Sequence, residues 1–249
     1  MQLQLIRSAT LRLVYARKQI LIDPYLAARF SRPSYAGVSP NPLVDLPCSP
    51  QEVIAGVELA LISHLHSDHF DPTGQALLPK DLPVFCQPED QVQIETMGFG
   101  RVEAIPHSLV WQGITITRIP GQHGSGTVLE EMGSASGFVF QSDGEPSLYW
   151  AGDTLWCQAV AEAIAHFQPE LIVTHSCGAM WGDRVLIVMD AAQTAAVCQA
   201  APQSKVIATH LDALDHATVT RQALRDYALA QGIGPERLLI PYDGEKLIF

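Results

Sequence analysis

The chain is poor in positive charge: 15 Lys and Arg stand against 26 Asp and Glu among 249 residues, a formal net charge of -11 at pH 7 with nine neutral histidines. The basic residues are single or paired, Arg17-Lys18 being the densest place, and form no stripe that would follow a phosphate backbone. Long nucleic acid is not expected as a partner. Long apolar runs are missing too. Crossing a bilayer takes about 18 apolar residues, and even the segment 238–249 is broken by Pro241, Asp243 and Lys246, so no membrane partner is expected. The first 25 residues lack the order of a secretory signal, because Arg7, Arg12, Arg17 and Lys18 interrupt each apolar run. The five cysteines, at 48, 86, 157, 177 and 198, are odd in number and include no CxxC pair, which argues against a disulfide framework and for a reducing, cytoplasmic setting. With no polar linker, low-complexity segment or short repeat, residues 1–249 are expected to form a single domain.

What is present is a turn-rich globular composition: 47% hydrophobic, 16% charged, 18 Gly and 17 Pro. Short apolar blocks over the first 25 residues predict two or three strands, ended by Asp23-Pro24. Residues 26–50 hold five prolines and little periodicity, an irregular excursion long enough to be a lid, a wall of a site or a surface for a second subunit. A buried strand is expected in VELALIS, followed by a short helix beginning near Asp71-Pro72. VFCQ, VEAI, ITITRIP, SGFVF and SLYWA read as further strands, with a helix-like PEDQVQIETMG after the first. Beyond residue 155 the pattern becomes helix, strand, helix, strand, helix, strand, with apolar residues at 156, 160, 163, 164 and 167 setting the first helical face.

The densest chemistry is HLHSDH at 64–69, directly after a predicted buried strand, where His64, His66, Asp68 and His69 fall within six residues. Imidazole nitrogens and a carboxylate suit zinc, manganese or iron, and a turn aims several of them inward where a straight strand would alternate them. Taken alone, the segment also fits a solvent-facing polar loop. His123 within GQHGSG, Asp153 within AGDT and His210 after KVIAT each follow a predicted strand as well, the place where αβ sheets collect a site.

With HLHSDH followed in order by His123, Asp153 and His210, the chain resembles the metallo-β-lactamase fold superfamily of hydrolases over nearly its whole length. The resemblance implies an α+β fold, a four-layer αββα sandwich with a dinuclear metal site at one edge of two facing sheets. It implies that His64, His66 and His123 hold one metal, that Asp68, His69 and His210 hold the second, and that Asp153 bridges them. The cofactors would be two divalent ions, Zn or Mn, with Fe a third choice. Within the superfamily, NPLVDLP, GQHGSG, GSASGFVF and AGDT are most similar to the branch containing the ascorbate-6-phosphate lactonase and the N-acylphosphatidylethanolamine phospholipase. Leu65 and Ser67 flank His66 as in the hydrolases, so the HxExD variant of the di-iron oxidoreductases is absent.

A water or hydroxide between two such ions attacks a carbonyl or phosphoryl centre, and the implied activity is hydrolysis of a small ester, lactone or phosphoester. A phosphodiesterase or nuclease, or a metal-binding protein without catalysis, would use the same residues. Asp68 is expected to bind metal and orient the nucleophile, and His175 and His216 are the candidates to protonate the leaving group. Asp212, Asp215 and Asp23 are candidates to orient ligand imidazoles. Trp181 is a candidate wall of the substrate pocket, while Cys157 and Cys177 read as small buried hydrophobes and His107 and His166 fall outside the site. A small-molecule substrate is the expected partner, and the oligomeric state is open.

Overall fold

A computed structural model describes residues 1–249. The chain opens with an antiparallel meander of β1 (Gln2–Arg7), β2 (Thr10–Tyr15) and β3 (Lys18–Ile22). Ala16 and Arg17 both take positive φ between β2 and β3, the primed two-residue turn whose twist matches that of the strands. β4 (Leu59–Ile62), β5 (Val84–Cys86) and β6 (Val102–Ala104) add in parallel to β3, and β16 (Lys246–Ile248) closes the other side in the order β16-β1-β2-β3-β4-β5-β6. A second sheet of seven strands comprises β15 (Leu238–Leu239), β14 (Lys205–Thr209), β11 (Leu171–His175), β10 (Leu148–Trp150), β9 (Ser136–Gln141), β8 (Ile114–Pro120) and β7 (Ser108–Trp111), in that order.

Both faces of each sheet are covered, which is why the central strands read as unbroken apolar runs. Alternate residues Leu59 and Leu61 of β4 face Trp150, Phe138 and Ile116 of the second sheet in one core, while Ala60 and Ile62 turn outward. The outward face of the first sheet packs on Val53 of α1 (Pro50–Ile54), Ile94 of α3 (Gln91–Thr96) and Leu78 beyond α2 (Pro72–Leu77). That of the second sheet packs on α5 (Gln158–Phe167), α6 (Ala191–Ala200) and α7 (Arg221–Ala230) through Val160, Ala163, Ile164, Val197 and Leu224. The layers are therefore αββα. No helix is long and apolar enough to cross a membrane.

Two differences from the sequence reading matter. The sequence pattern ends on one strand after the last helix, whereas two form: β15 in the second sheet, and β16, which returns to pair with β1, Phe249 N donating to Met1 O at 3.1 Å. Helix α4 (Thr127–Met132) and the hairpin β12 (Met180–Trp181) and β13 (Val185–Leu186) were not predicted, being too short to show a period. Residues 26–50 pack against their own chain. The buried Arg7 guanidinium donates to the carbonyls of Tyr25, Ala27 and Val44, and Leu43 N donates to Ala213 O at 2.8 Å. β8 and β10 are both antiparallel to β9 and so point the same way, bringing the ends of β8, β10, β11 and β14 to one edge.

Candidate metal centre

At that edge the chain after β4 turns abruptly. Ser63 is fixed by Asp23, whose carboxylate accepts from the Ser63 amide at 2.8 Å and its hydroxyl at 2.7 Å. His66 O then accepts from the amides of His69 and Phe70, a single helical turn that gathers His64, His66, Asp68 and His69 on one side. Asp71 ends the turn by capping α2 through the amides of Thr73 and Gly74. Gly74 has no substitute there, since a Cβ would lie 2.2 Å from Pro24 O. On the facing sheet, Gly152 takes positive φ before Asp153, and a Cβ on it would meet Ser136 O at 2.9 Å.

The donor atoms form two adjoining groups, His64, His66 and His123 in one and His69, Asp153, His175 and His210 in the other, each within 4.8 Å. Asp153 lies between them. Its Oδ2 is 3.6 Å from His123 Nε2, 4.0 Å from His64 Nε2 and 3.2 Å from His69 Nε2, and its Oδ1 is 3.9 Å from His210 Nε2. Asp68 Oδ2 sits 3.8 Å from His69 Nε2 and 3.5 Å from His210 Nε2. Two ligands about 2.1 Å from a tetrahedral ion stand about 3.4 Å apart, and these separations scatter around that value.

The ring nitrogens are prepared for the task. His123 Nδ1–H donates to Ile187 O at 2.8 Å and His69 Nδ1–H to Asp23 Oδ2 at 2.7 Å, which leaves each Nε2 facing the cluster. His64 Nε2 and both nitrogens of His210 are buried with no hydrogen-bond partner. Such orphans each cost about 1–3 kcal/mol, and a cation accepting the lone pair of His64 Nε2 and of one His210 nitrogen removes that penalty there, so the residues fit a metal. Burial, reinforced by His69 and His66, holds His64 well below its ordinary value. Burial also opposes a charge on His69, but Asp153, Asp23 and Asp68 outweigh it and push His69 up to about 10.

A cavity of about 240 Å³ opens over the cluster. His66, Asp68, His123 and Asp153 form its floor, and Tyr35, Ser67, Glu131, Met132, Trp181, Ile187 and His216 its walls. Trp181 is thus a wall, its Nε1 donating to Glu131 Oε2 at 3.2 Å. Three expectations are overturned. His175 is wholly buried, lines no part of the cavity, and donates from Nδ1 to Asp153 Oδ1 at 2.6 Å, so it supports that carboxylate and has no path to a leaving group. Asp212 pairs with Arg221 at 2.9 Å, and neither ring nitrogen of His210 has a hydrogen-bond partner. Asp215 is turned toward residues 34–41, accepting from the Tyr35 amide at 2.9 Å and Asn41 Nδ2 at 2.8 Å. Sequence reading missed Tyr35, Ser67 and Glu131. Ser67 carried a signal, standing inside HLHSDH, whereas Tyr35 lies in a stretch with no period.

The family model described as "Beta-lactamase superfamily domain" matches residues 18–211. The chain is 35% identical to the UPF0173 protein YddR of Bacillus subtilis, covering 100% of both chains. It is 31% identical to a UPF0173 metal-dependent hydrolase of Xanthobacter autotrophicus over 59% of each. Among solved structures, an isothiocyanate hydrolase from Delia radicum gut bacteria superposes with a TM-score of 0.95 at 34% identity, covering 100% of this chain and 99% of that one. A possible metal-dependent hydrolase from Veillonella parvula gives 0.96 at 32%, with the same coverage.

Proposed function

Because the chain belongs to the beta-lactamase superfamily domain family and is a metal-dependent hydrolase, we propose that it cleaves a small uncharged substrate at an electrophilic carbon. His64, His66 and His123 would hold one divalent ion and Asp68, His69 and His210 a second, with Asp153 between them. Five imidazoles against two carboxylates favour Zn over Mn or Fe. Such ions supply a water acidic enough to be deprotonated near neutral pH and a charge that stabilises a developing oxyanion.

The chain's own groups do the rest. Asp68, which both approaches the ligand nitrogens and lines the cavity, orients the nucleophile through a carboxylate oxygen. His216 stands in the wall, held below its ordinary value by burial and hence neutral at pH 7, so it can take a proton from the attacking water and, as the imidazolium, return it to the leaving group. Residues 1–249 act as one domain in this reading, and the five free thiols suit a reducing cytoplasm.

The observation that carries the substrate class is the absence of Lys and Arg from the walls, which instead include Glu131. A phosphodiester or nucleic acid bound over the cluster would meet no guanidinium or ammonium of these walls, Arg184 lining only the adjoining cavity. An isothiocyanate, the substrate class named for the 34% identical relative, fits: it is neutral, water adds to its central carbon, and breaking the N–C bond leaves an amine and carbonyl sulfide. An ester or lactone carbonyl is the second choice on the same ground. In a panel of an aryl isothiocyanate, a p-nitrophenyl ester, a lactone and bis(p-nitrophenyl) phosphate, kcat/KM for a neutral substrate is expected to exceed that for the phosphodiester by about 100-fold, nearly 3 kcal/mol. Equal or greater phosphodiester turnover would sink the reading.

His69 sets a further expectation. Its raised value means that the metal-free protein carries a proton there at pH 7, and a ligating imidazole must be neutral. Zinc binding at pH 7 should therefore release protons from both His69 and His210, the latter also held well above its ordinary value, against burial, by Cys177 and Asp153, and affinity should rise with pH until His69 has titrated, near about 10. Calorimetry in buffers of different ionisation heat reads the protons directly. Zinc uptake with no proton release contradicts His69 as a ligand.

A further inference from the structure

Residues 34–41 contain no helix and only the isolated bridge Arg32 to Asn41, yet they place one side chain over the metal residues. Tyr35 lines the cavity of about 240 Å³ and also an outer one of about 610 Å³. Trp181 and His216 are shared by both as well, so the three rings stand where the two cavities meet. The Tyr35 hydroxyl has one hydrogen-bond partner, Ser67 Oγ at 2.6 Å, on the turn between His66 and Asp68. The Tyr35 ring meets that of His216 edge-on, with centroids 4.9 Å apart.

This position is imposed from far along the chain. The Asp215 carboxylate accepts from the amides of Tyr35 at 2.9 Å, Ala36 at 3.1 Å, and Val38 and Ser39 at 3.3 Å. It also accepts from Asn41 Nδ2 at 2.8 Å and from the Ser34 hydroxyl, while the Asp215 amide donates to Asn41 Oδ1 at 2.9 Å. Several charge-assisted bonds on one carboxylate fix a loop that has no ladder of its own. The residue after Asp215 is His216, so one short segment sets both halves of the Tyr35–His216 wall.

Resting on the hydrolytic reading above, we propose that Tyr35 is a catalytic residue whose hydroxyl leaves Ser67 to hydrogen-bond the departing heteroatom of the substrate, and that Asp215 is the positioning residue that holds it there. The hydroxyl keeps its own proton, and the leaving group is protonated by the His216 imidazolium, formed when that ring takes a proton from the attacking water. Burial, and then the nearby Asp68, hold the Tyr35 hydroxyl well above its ordinary value, consistent with a donor that stays protonated.

The test uses zinc-loaded full-length protein and an ester series of graded leaving groups alongside the isothiocyanate. Tyr35→Phe should lower kcat by about 10- to 100-fold, most for the poorest leaving groups, with KM and zinc content little changed. Asp215→Asn should lower kcat similarly and, independently of any substrate, speed hydrogen exchange of the Tyr35, Ala36, Val38 and Ser39 amides by about tenfold or more. Tyr35→Phe turnover within about twofold of wild type across the series would overturn the catalytic role, and unchanged exchange in Asp215→Asn would overturn the positioning role. A wild-type protein inert on every substrate would instead contradict the hydrolytic reading, a result distinguishable from either.

Discussion

Asp153→Asn is expected to abolish measurable turnover and strip the protein of tightly held metal. The carboxylate is the one group within 4 Å of His64, His69, His123 and His210, so its charge serves both halves of the cluster. Burial works against that charge, yet the surrounding His69 and His210 hold its carboxyl well below the usual range. Asparagine keeps the shape and removes the charge. Removing one partner of a buried charge pair costs about 3–5 kcal/mol, which at about 1.4 kcal/mol per decade is roughly two to three and a half decades in metal affinity. Turnover should fall by at least about a thousandfold. Metal content after dialysis, alongside steady-state rates and circular dichroism to confirm folding, checks this. Full metal retention with near-normal rates would remove Asp153 from the centre.

Asp23→Asn should produce the next largest loss, a fall of about 10- to 100-fold in metal affinity, the usual result of removing a carboxylate behind a ligating histidine. Asp23 is wholly buried, accepts from His69 Nδ1 at 2.7 Å, and holds Ser63 at the start of the HLHSDH turn. Losing its charge weakens His69 as a donor and loosens the turn, without deleting a ligand. The order matters more than either value: competition with a fluorescent zinc chelator should rank wild type above Asp23→Asn above Asp153→Asn. An Asp23→Asn protein as tight as wild type would reduce Asp23 to a turn-former.

Much of this centre was legible because its chemistry sits where strands stop. HLHSDH follows β4, His123 follows β8, Asp153 follows β10 and His210 follows β14, and period and breakers locate those ends without a structure. Asp23 was legible for the same reason, standing one residue past β3. What failed was proximity in sequence taken as proximity in space. His210 and Asp212 both have positive φ, at 66° and 61°, so the chain reverses between them and turns the Asp212 carboxylate to Arg221. His175 looked like the other strand-end residues, but it is still paired within β11, and its ring is enclosed beneath Asp153. Tyr35 left no trace. Its place is set by hydrogen bonds to a residue 180 positions later, which no local pattern encodes. The proposed substrate class is narrower than the small ester, lactone or phosphoester expected from sequence: a neutral substrate, an isothiocyanate first and an ester or lactone second, because no Lys or Arg lines the cavity over the cluster.

In the proposed centre one carboxylate, Asp153, joins two metal sites built from seven side chains on facing sheets. Anomalous diffraction at the zinc edge from crystals of the zinc-loaded protein tests it most directly. Two peaks are expected, one enclosed by His64, His66 and His123 and the other by Asp68, His69 and His210, with Asp153 reaching both. A single peak with Asp153 turned away, or none within the cluster, would contradict it.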